Sequence, residues 1–133
     1  MLIDSNVLID IFTRDREWYD WSAAAFAQYI DQTPLIVNEI VYTEVSVRIE
    51  TEAEMNAALA DLGISFERIP QGALFLAGKA FRRYRQAGGT RNAVLADFFI
   101  GAHASVADIP ILTRDLRRYR SYFPDVRLIT PES

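Results

Sequence analysis

Four acidic residues stand where a carboxylate can do more than solvate a surface. Asp4 follows three apolar residues in "MLIDSNVLID", and Asp115 follows the apolar "ILT" by two positions. Asp97 lies inside "AVLADFFIGAHASVAD", where an ionised side chain is costly unless it is paired or bound to a metal. Glu44 sits in "EIVYTEVSV" among Ile40, Val41, Val45 and Val47. Carboxylates brought to one place repel one another and hold protons near neutral pH unless a cation compensates them. Oxygen-only donors select a hard ion, Mg²⁺ or Mn²⁺, which can lower the pKa of a bound water and neutralise charge on a leaving oxygen. The chain has no cysteine and a single histidine, His103, which excludes thiolate sites and the usual zinc sites.

The elements that must position these groups follow from periodicity and punctuation. "MLI" reads as a short buried strand and "SNVLIDIF" as the helix after it, with Ser5 or Asn6 able to cap it. Residues 15–31 carry helical periodicity, "PLIV" is a second buried strand, and 39–49 and 52–62 are helices, the latter closed by Gly63. "ISFERI" is a strand, and Pro70 starts a long helix that ends at Gly88 and Gly89. An apolar helix over 93–107, the strand "IPILT", a short helix "RDLRRY" and the strand "VRLIT" complete one domain spanning residues 1–133. Strands spaced by helices imply an α/β fold, a three-layer α/β/α arrangement around a parallel sheet of four to five strands. In such sheets the functional crevice lies beyond the carboxyl ends of the strands. Asp4 and Asp115 therefore leave the same edge if their strands are parallel neighbours.

Each candidate has a bland alternative. Asp97 shares its helix face with Gly101 and Ala104, small residues that leave space, but it could cap a loop or pair with an arginine. Asp108 lies on the same stripe, yet eleven helical residues place it about 16 Å further along, and capping the turn before Pro110 accounts for it. His103 points elsewhere and reads as a packed or surface residue. Glu44 could simply face solvent, and Glu39 reads as a first-turn charge favoured by the helix dipole.

The formal net charge of −4 argues against coating nucleic acid by bulk electrostatics. The cations are nonetheless peculiar, thirteen Arg against one Lys, Lys79. Two clusters, "RRYR" with Arg82, Arg83 and Arg85, and "RDLRRYR" with Arg114, Arg117 and Arg118, interleave Arg with Tyr as phosphate-and-stacking surfaces do. A solvated helix face is the alternative. No apolar stretch is long enough for a membrane span and no basic segment opens a signal peptide, so a cytoplasmic protein without membrane contact is expected.

Taken in order, "LIDSNVLID", "EIVYTEV", "LADFFIGAHA" and "ILTRD" cover nearly the whole chain and resemble the PIN-domain ribonucleases, specifically the VapC-type toxins of bacterial toxin–antitoxin pairs. Ser5 replaces the threonine frequent in that family, a conservative departure. The resemblance implies an Mg²⁺-dependent endoribonuclease, with Mn²⁺ as substitute, whose acidic quartet is Asp4, Glu44, Asp97 and Asp115, supported by Ser5, Asn6 and Thr113. It also implies an RNA substrate, a VapB-like antitoxin and a homodimer, for which the aromatic "REWYDWSAAAF" is one candidate surface. The Arg clusters would then contact RNA or antitoxin. Three rivals remain: a catalytically silent PIN-fold binding module, a haloacid dehalogenase-like phosphatase and a receiver-like domain. The second wants an Asp where Asn6 stands, and the third a Lys near the pocket, whereas Lys79 falls mid-helix.

Overall fold

A computed structural model describes residues 1–132 of the chain. In chain order the elements are β1 (Leu2–Ile3), α1 (Ser5–Thr13), α2 (Tyr19–Ile30), β2 (Ile36–Val37), α3 (Glu39–Ser46), α4 (Glu52–Leu62), β3 (Ser65–Phe66), α5 (Gln71–Gln86), α6 (Val94–Ala107), β4 (Ile111–Leu112), α7 (Arg117–Arg120) and β5 (Leu128–Ile129). The five strands form one all-parallel sheet in the order β3-β2-β1-β4-β5, flanked by the helices as the three-layer α/β/α reading requires. Leu2 pairs with both Ile36 and Ile111, so β1 is central, and the order reverses between β1 and β4. A crevice at that reversal is where such sheets place ligands.

The strands are shorter than the apolar strings that announced them. Only two residues of "IPILT", "VRLIT" and "ISFERI" pair as strand, and β3, at the sheet edge, is exposed. Ile64 and Ile69 of "ISFERI" and Val126 of "VRLIT" lie outside the paired residues yet are buried, so those strings fill the core beyond the ladder. Helix α2 begins at Tyr19 rather than at residue 15, because the Asp15 carboxylate accepts from the backbone N–H of Glu17 and Trp18 and holds the approach as a turn. Helix α7 is displaced toward the C-terminus for the same reason, with Asp115 accepting from the Arg117 N–H.

Other elements match the expectation closely. α4 runs over 52–62, capped by Thr51 in front and by Gly63 behind, where φ of +73° needs a residue without a Cβ. Asp108 takes the left-handed conformation (φ 54°) as the C-cap of α6. In α5 the small residues Ala73, Ala77 and Ala80 form its buried stripe. Gly101 in α6 has a packing reason as well as a site-related one. A Cβ there would meet Cδ2 of the buried Phe123 at 2.3 Å, so the space beside Asp97's helix face is filled by that ring.

Candidate active site

Asp4, rather than Ser5 or Asn6, is the N-cap of α1. It leaves β1 with extended backbone, and its Oδ1 accepts from the Ser5 N–H at 2.7 Å. Its Oδ2 accepts from Thr113 Oγ1 at 2.8 Å and from the Tyr119 hydroxyl at 2.7 Å. The carboxylate is wholly buried, so these donors both satisfy and aim it. One side chain thus ends β1, starts α1 and ties β4 and α7 to the sheet edge.

Thr113, at the end of β4, relays the arrangement. Its hydroxyl donates to Asp4 and accepts from the Asp115 N–H at 3.1 Å and from Asn6 Nδ2 at 3.3 Å, while Asn6 Oδ1 accepts from the Arg114 N–H. Asn6 and Thr113 therefore brace the start of α1 against the segment that carries Asp115. Ser5 Oγ lies 3.1 Å from Glu44 Oε1 and 3.4 Å from Asp4 Oδ1 and donates to the nearer one, bringing α3 to the centre. Asp97 approaches from the first turn of α6.

Asp97 and Glu44 feel the neighbouring acids. Burial, with the charges of Asp4, Glu44 and Asp115 adding, pushes Asp97 up to about 6 against the pull of Arg118. Burial also raises Glu44, opposed by the Ser5 hydrogen bond and seconded by Asp4. Burial beside Asp4 raises Tyr119 well above the ordinary phenol range, so it is a proton donor to Asp4 at any physiological pH.

The Arg clusters divide. Arg114 forms a bidentate pair with Asp10, at 2.7 and 3.0 Å, and lies over the Trp18 ring, while Ser22 donates to the same carboxylate. Arg118 turns inward among the acids, 3.5 Å from Asp97, 3.8 Å from Asp4 and 3.4 Å from Asp115. Arg117, Arg82, Arg83 and Arg85 stay exposed, Arg85 bonding Asn92 and stacking over Phe81. Tyr119, which looked like an outward stacking residue, has 0% exposure. His103 is buried, and its charged neighbours are Glu39 and Glu67. It accepts from Asn38 Nδ2 at 3.1 Å, because Asn38 Oδ1 is committed to the Ile40 and Val41 N–H groups at the start of α3.

The donor set suits a hard divalent ion, since every candidate ligand is a carboxylate oxygen. As placed among the described residues, no three acidic or imidazole groups are gathered closely enough to hold one. The cation position between Asp4, Asp97 and Asp115 is taken by the Arg118 guanidinium, a stand-in for positive charge at the point where the donors converge. The residues fit the ion in kind, and Arg118 supplies the positive charge among them.

The PIN-domain family matches residues 1–124. The chain belongs to the PIN-domain family. PIN domains are generally nucleases that use divalent metals, and membership removes the dehalogenase-like and receiver-like rivals. Solved structures share the fold. A chain of VapBC-1 from nontypeable Haemophilus influenzae superposes with a TM-score of 0.72 at 15% identity, covering 99% of this PIN domain and 98% of that chain. VapBC2 from Rickettsia felis, bound to a DNA fragment from their promoter, gives 0.67 at 16% identity, covering 97% and 96%. A toxin–antitoxin complex from Klebsiella pneumoniae gives 0.64 at 22% identity, covering 98% and 96%. No curated protein matches the sequence. Among the described residues no helix is long and apolar enough to cross a membrane.

Two participants were not read from the sequence. Asp10, within "NVLIDIF", drew no assignment from the sequence, yet it is 1% exposed and anchors Arg114. Tyr119 carried no signal beyond its setting between arginines.

Proposed function

We propose that this PIN domain is a metal-dependent endoribonuclease, the toxin of a VapBC-type pair, acting in the cytoplasm. The observation that carries the reading is that Asp4, Glu44, Asp97 and Asp115, from the β1–α1 junction, α3, α6 and the β4–α7 loop, lie near enough for Asp97 to feel the other three. Asp4 and Asp97, with Glu44 and Asp115 completing the set, would hold Mg²⁺ or Mn²⁺. When bound, such an ion lowers the pKa of water and offsets charge on the leaving oxygen of a phosphodiester.

The chain's own residues supply positioning. Ser5, Thr113 and Tyr119 fix Asp4 through three short hydrogen bonds, so its remaining lone pairs are aimed before any ligand arrives. Asn6 and Thr113 hold the Asp115 segment against α1. Exposed Arg82, Arg83 and Arg117 would draw the RNA backbone toward a chain of net charge −4 whose acidic centre would otherwise repel it. Arg85, Arg114 and Arg118 belong to the same two clusters but spend part or all of their charge within the protein.

Exposed Val47 (80%) and Phe75 (70%) offer apolar surface for a VapB-like antitoxin or a second copy of the chain. The "REWYDWSAAAF" segment is the weaker candidate, because Trp18 is engaged by Arg114 and Ser22 and Ala25 are buried.

Sequencing of RNA 5′ ends after induced expression tests the reading. New ends at discrete sites, absent with Asp4→Asn, are expected. A binding-only PIN fold predicts the same ends with both proteins.

A further inference from the structure

Two arginines from one segment meet carboxylates here in different ways. Arg114 is committed, with two nitrogens at 2.7 and 3.0 Å from the oxygens of Asp10. Arg118 is not. Its Nη1 stands 3.5 Å from Asp97 and 3.8 Å from Asp4, its Nε 3.4 Å from Asp115, and each separation exceeds that of a formed N–H···O bond. Nη1 is buried and makes no hydrogen bond at all. Beside the Tyr119 hydroxyl, the guanidinium is thus held between three carboxylates mainly by their summed field, without the directional bonds that would lock it to one of them.

A cation held in that way can be exchanged for another cation at little cost in hydrogen bonding, and a divalent ion would compensate the same carboxylates with twice the charge. The side chain also has somewhere to go. It is 32% exposed and forms one wall of a cleft of about 360 Å³ beside Asp97, lined further by Tyr84, Arg91, Arg117 and Tyr122.

We propose that Arg118 is the resident counter-cation of the acidic centre, occupying it in the absence of a divalent ion and competing with that ion for Asp4, Asp97 and Asp115. The inference rests on the metal-site reading above and adds a regulator to it. Arg118 sets the metal concentration at which the site loads, and loading turns its guanidinium out toward the cleft. It is a positioning residue, not a ligand.

The test uses the purified full chain and Mn²⁺ alone, without RNA, with bound ion measured by calorimetry and by the loss of the free Mn²⁺ electron-resonance signal. Arg118→Gln should bind Mn²⁺ at least about tenfold more tightly than the wild type, and Arg118→Lys should fall between them. In chelator, Arg118→Gln should melt lower than the wild type, and Mn²⁺ should close that gap. Equal saturable binding by wild type and Arg118→Gln, or weaker binding by the variant, overturns the competition and leaves the metal site standing. No saturable binding by either protein overturns the metal site itself. The wild-type chain gives a readout that needs no variant, in case Arg118→Gln fails to fold. On Mg²⁺ titration the Arg118 Nε–Hε resonance should shift with the binding midpoint, and an unmoved resonance alongside saturable binding refutes the displacement.

Discussion

Removing the charge of Asp97 should stabilise the metal-free protein, by an amount that depends on pH. Asp97 is raised from 3.8 to about 6, chiefly by burial and then by the neighbouring acids against Arg118. A carboxyl whose folded pKa lies above its unfolded value favours folding while protonated, and this contribution is lost as pH rises from the unfolded value through the folded one. The difference, 6 − 3.8 or about 2.2 units at 1.36 kcal/mol each, comes to about 3 kcal/mol of instability at pH 7. The side chain is 21% exposed, so solvent screening removes only a minor part. Asp97→Asn keeps the shape and drops the charge. In chelator its melting temperature should exceed that of the wild type by on the order of 10 °C at pH 7.5. The gap should narrow as pH falls and close near pH 4. Scanning calorimetry or circular dichroism of both proteins at four or five pH values decides it. A gap independent of pH, or a wild type more stable at pH 7.5, would refute the reasoning that Asp97 is a strained carboxylate in a cluster built to be compensated.

Gly101→Ala puts a methyl within 2.3 Å of the Phe123 ring, which is 2% exposed and packed on Phe98, so denaturant unfolding should show a loss of about 1–3 kcal/mol. Arg114→Ala leaves Asp10 buried with only the Ser22 hydroxyl as side-chain partner, and the expected loss by the same method is about 3 kcal/mol. Replacing exposed Arg82 and Arg83 by Ala should flatten the log–log salt dependence of single-stranded RNA binding, measured by fluorescence anisotropy, by about 0.7 per lost phosphate contact. An unchanged slope would return that cluster to a solvated helix face.

Much of the site was legible because charge in apolar surroundings is conspicuous. Asp4 after "MLI" and Asp97 inside "AVLADFFIGAHA" each break a hydrophobic pattern, and the alternation of elements fixes which edge of a parallel sheet Asp4 and Asp115 must share. What escaped depends on orientation across long sequence separations. The "RDLRRYR" string specifies a short basic helix, but its pattern does not say which face turns inward. Tyr119 reaches Asp4 across 115 residues and Arg114 reaches Asp10 across 104, contacts that only the β1–β4 pairing brings about. Asp10 shows the same limit from the other side. In an amphipathic helix a lone acid ordinarily marks the wet face, and here the partner that makes burial tolerable lies at the far end of the chain. The strand lengths were overread because a string buried as core need not be paired as sheet.

If the carboxylates at the sheet edge form a metal-dependent RNA-cleaving centre, cleavage requires both the ion and Asp97. The most direct measurement incubates the purified chain with a 5′-labelled structured RNA in chelator, then with Mg²⁺ or Mn²⁺ restored, alongside Asp97→Asn carried through the same steps. Discrete cleavage that appears only with added ion and is lost in the variant is the predicted result. Cleavage that persists in excess chelator, or that Asp97→Asn retains at the wild-type rate, would contradict it.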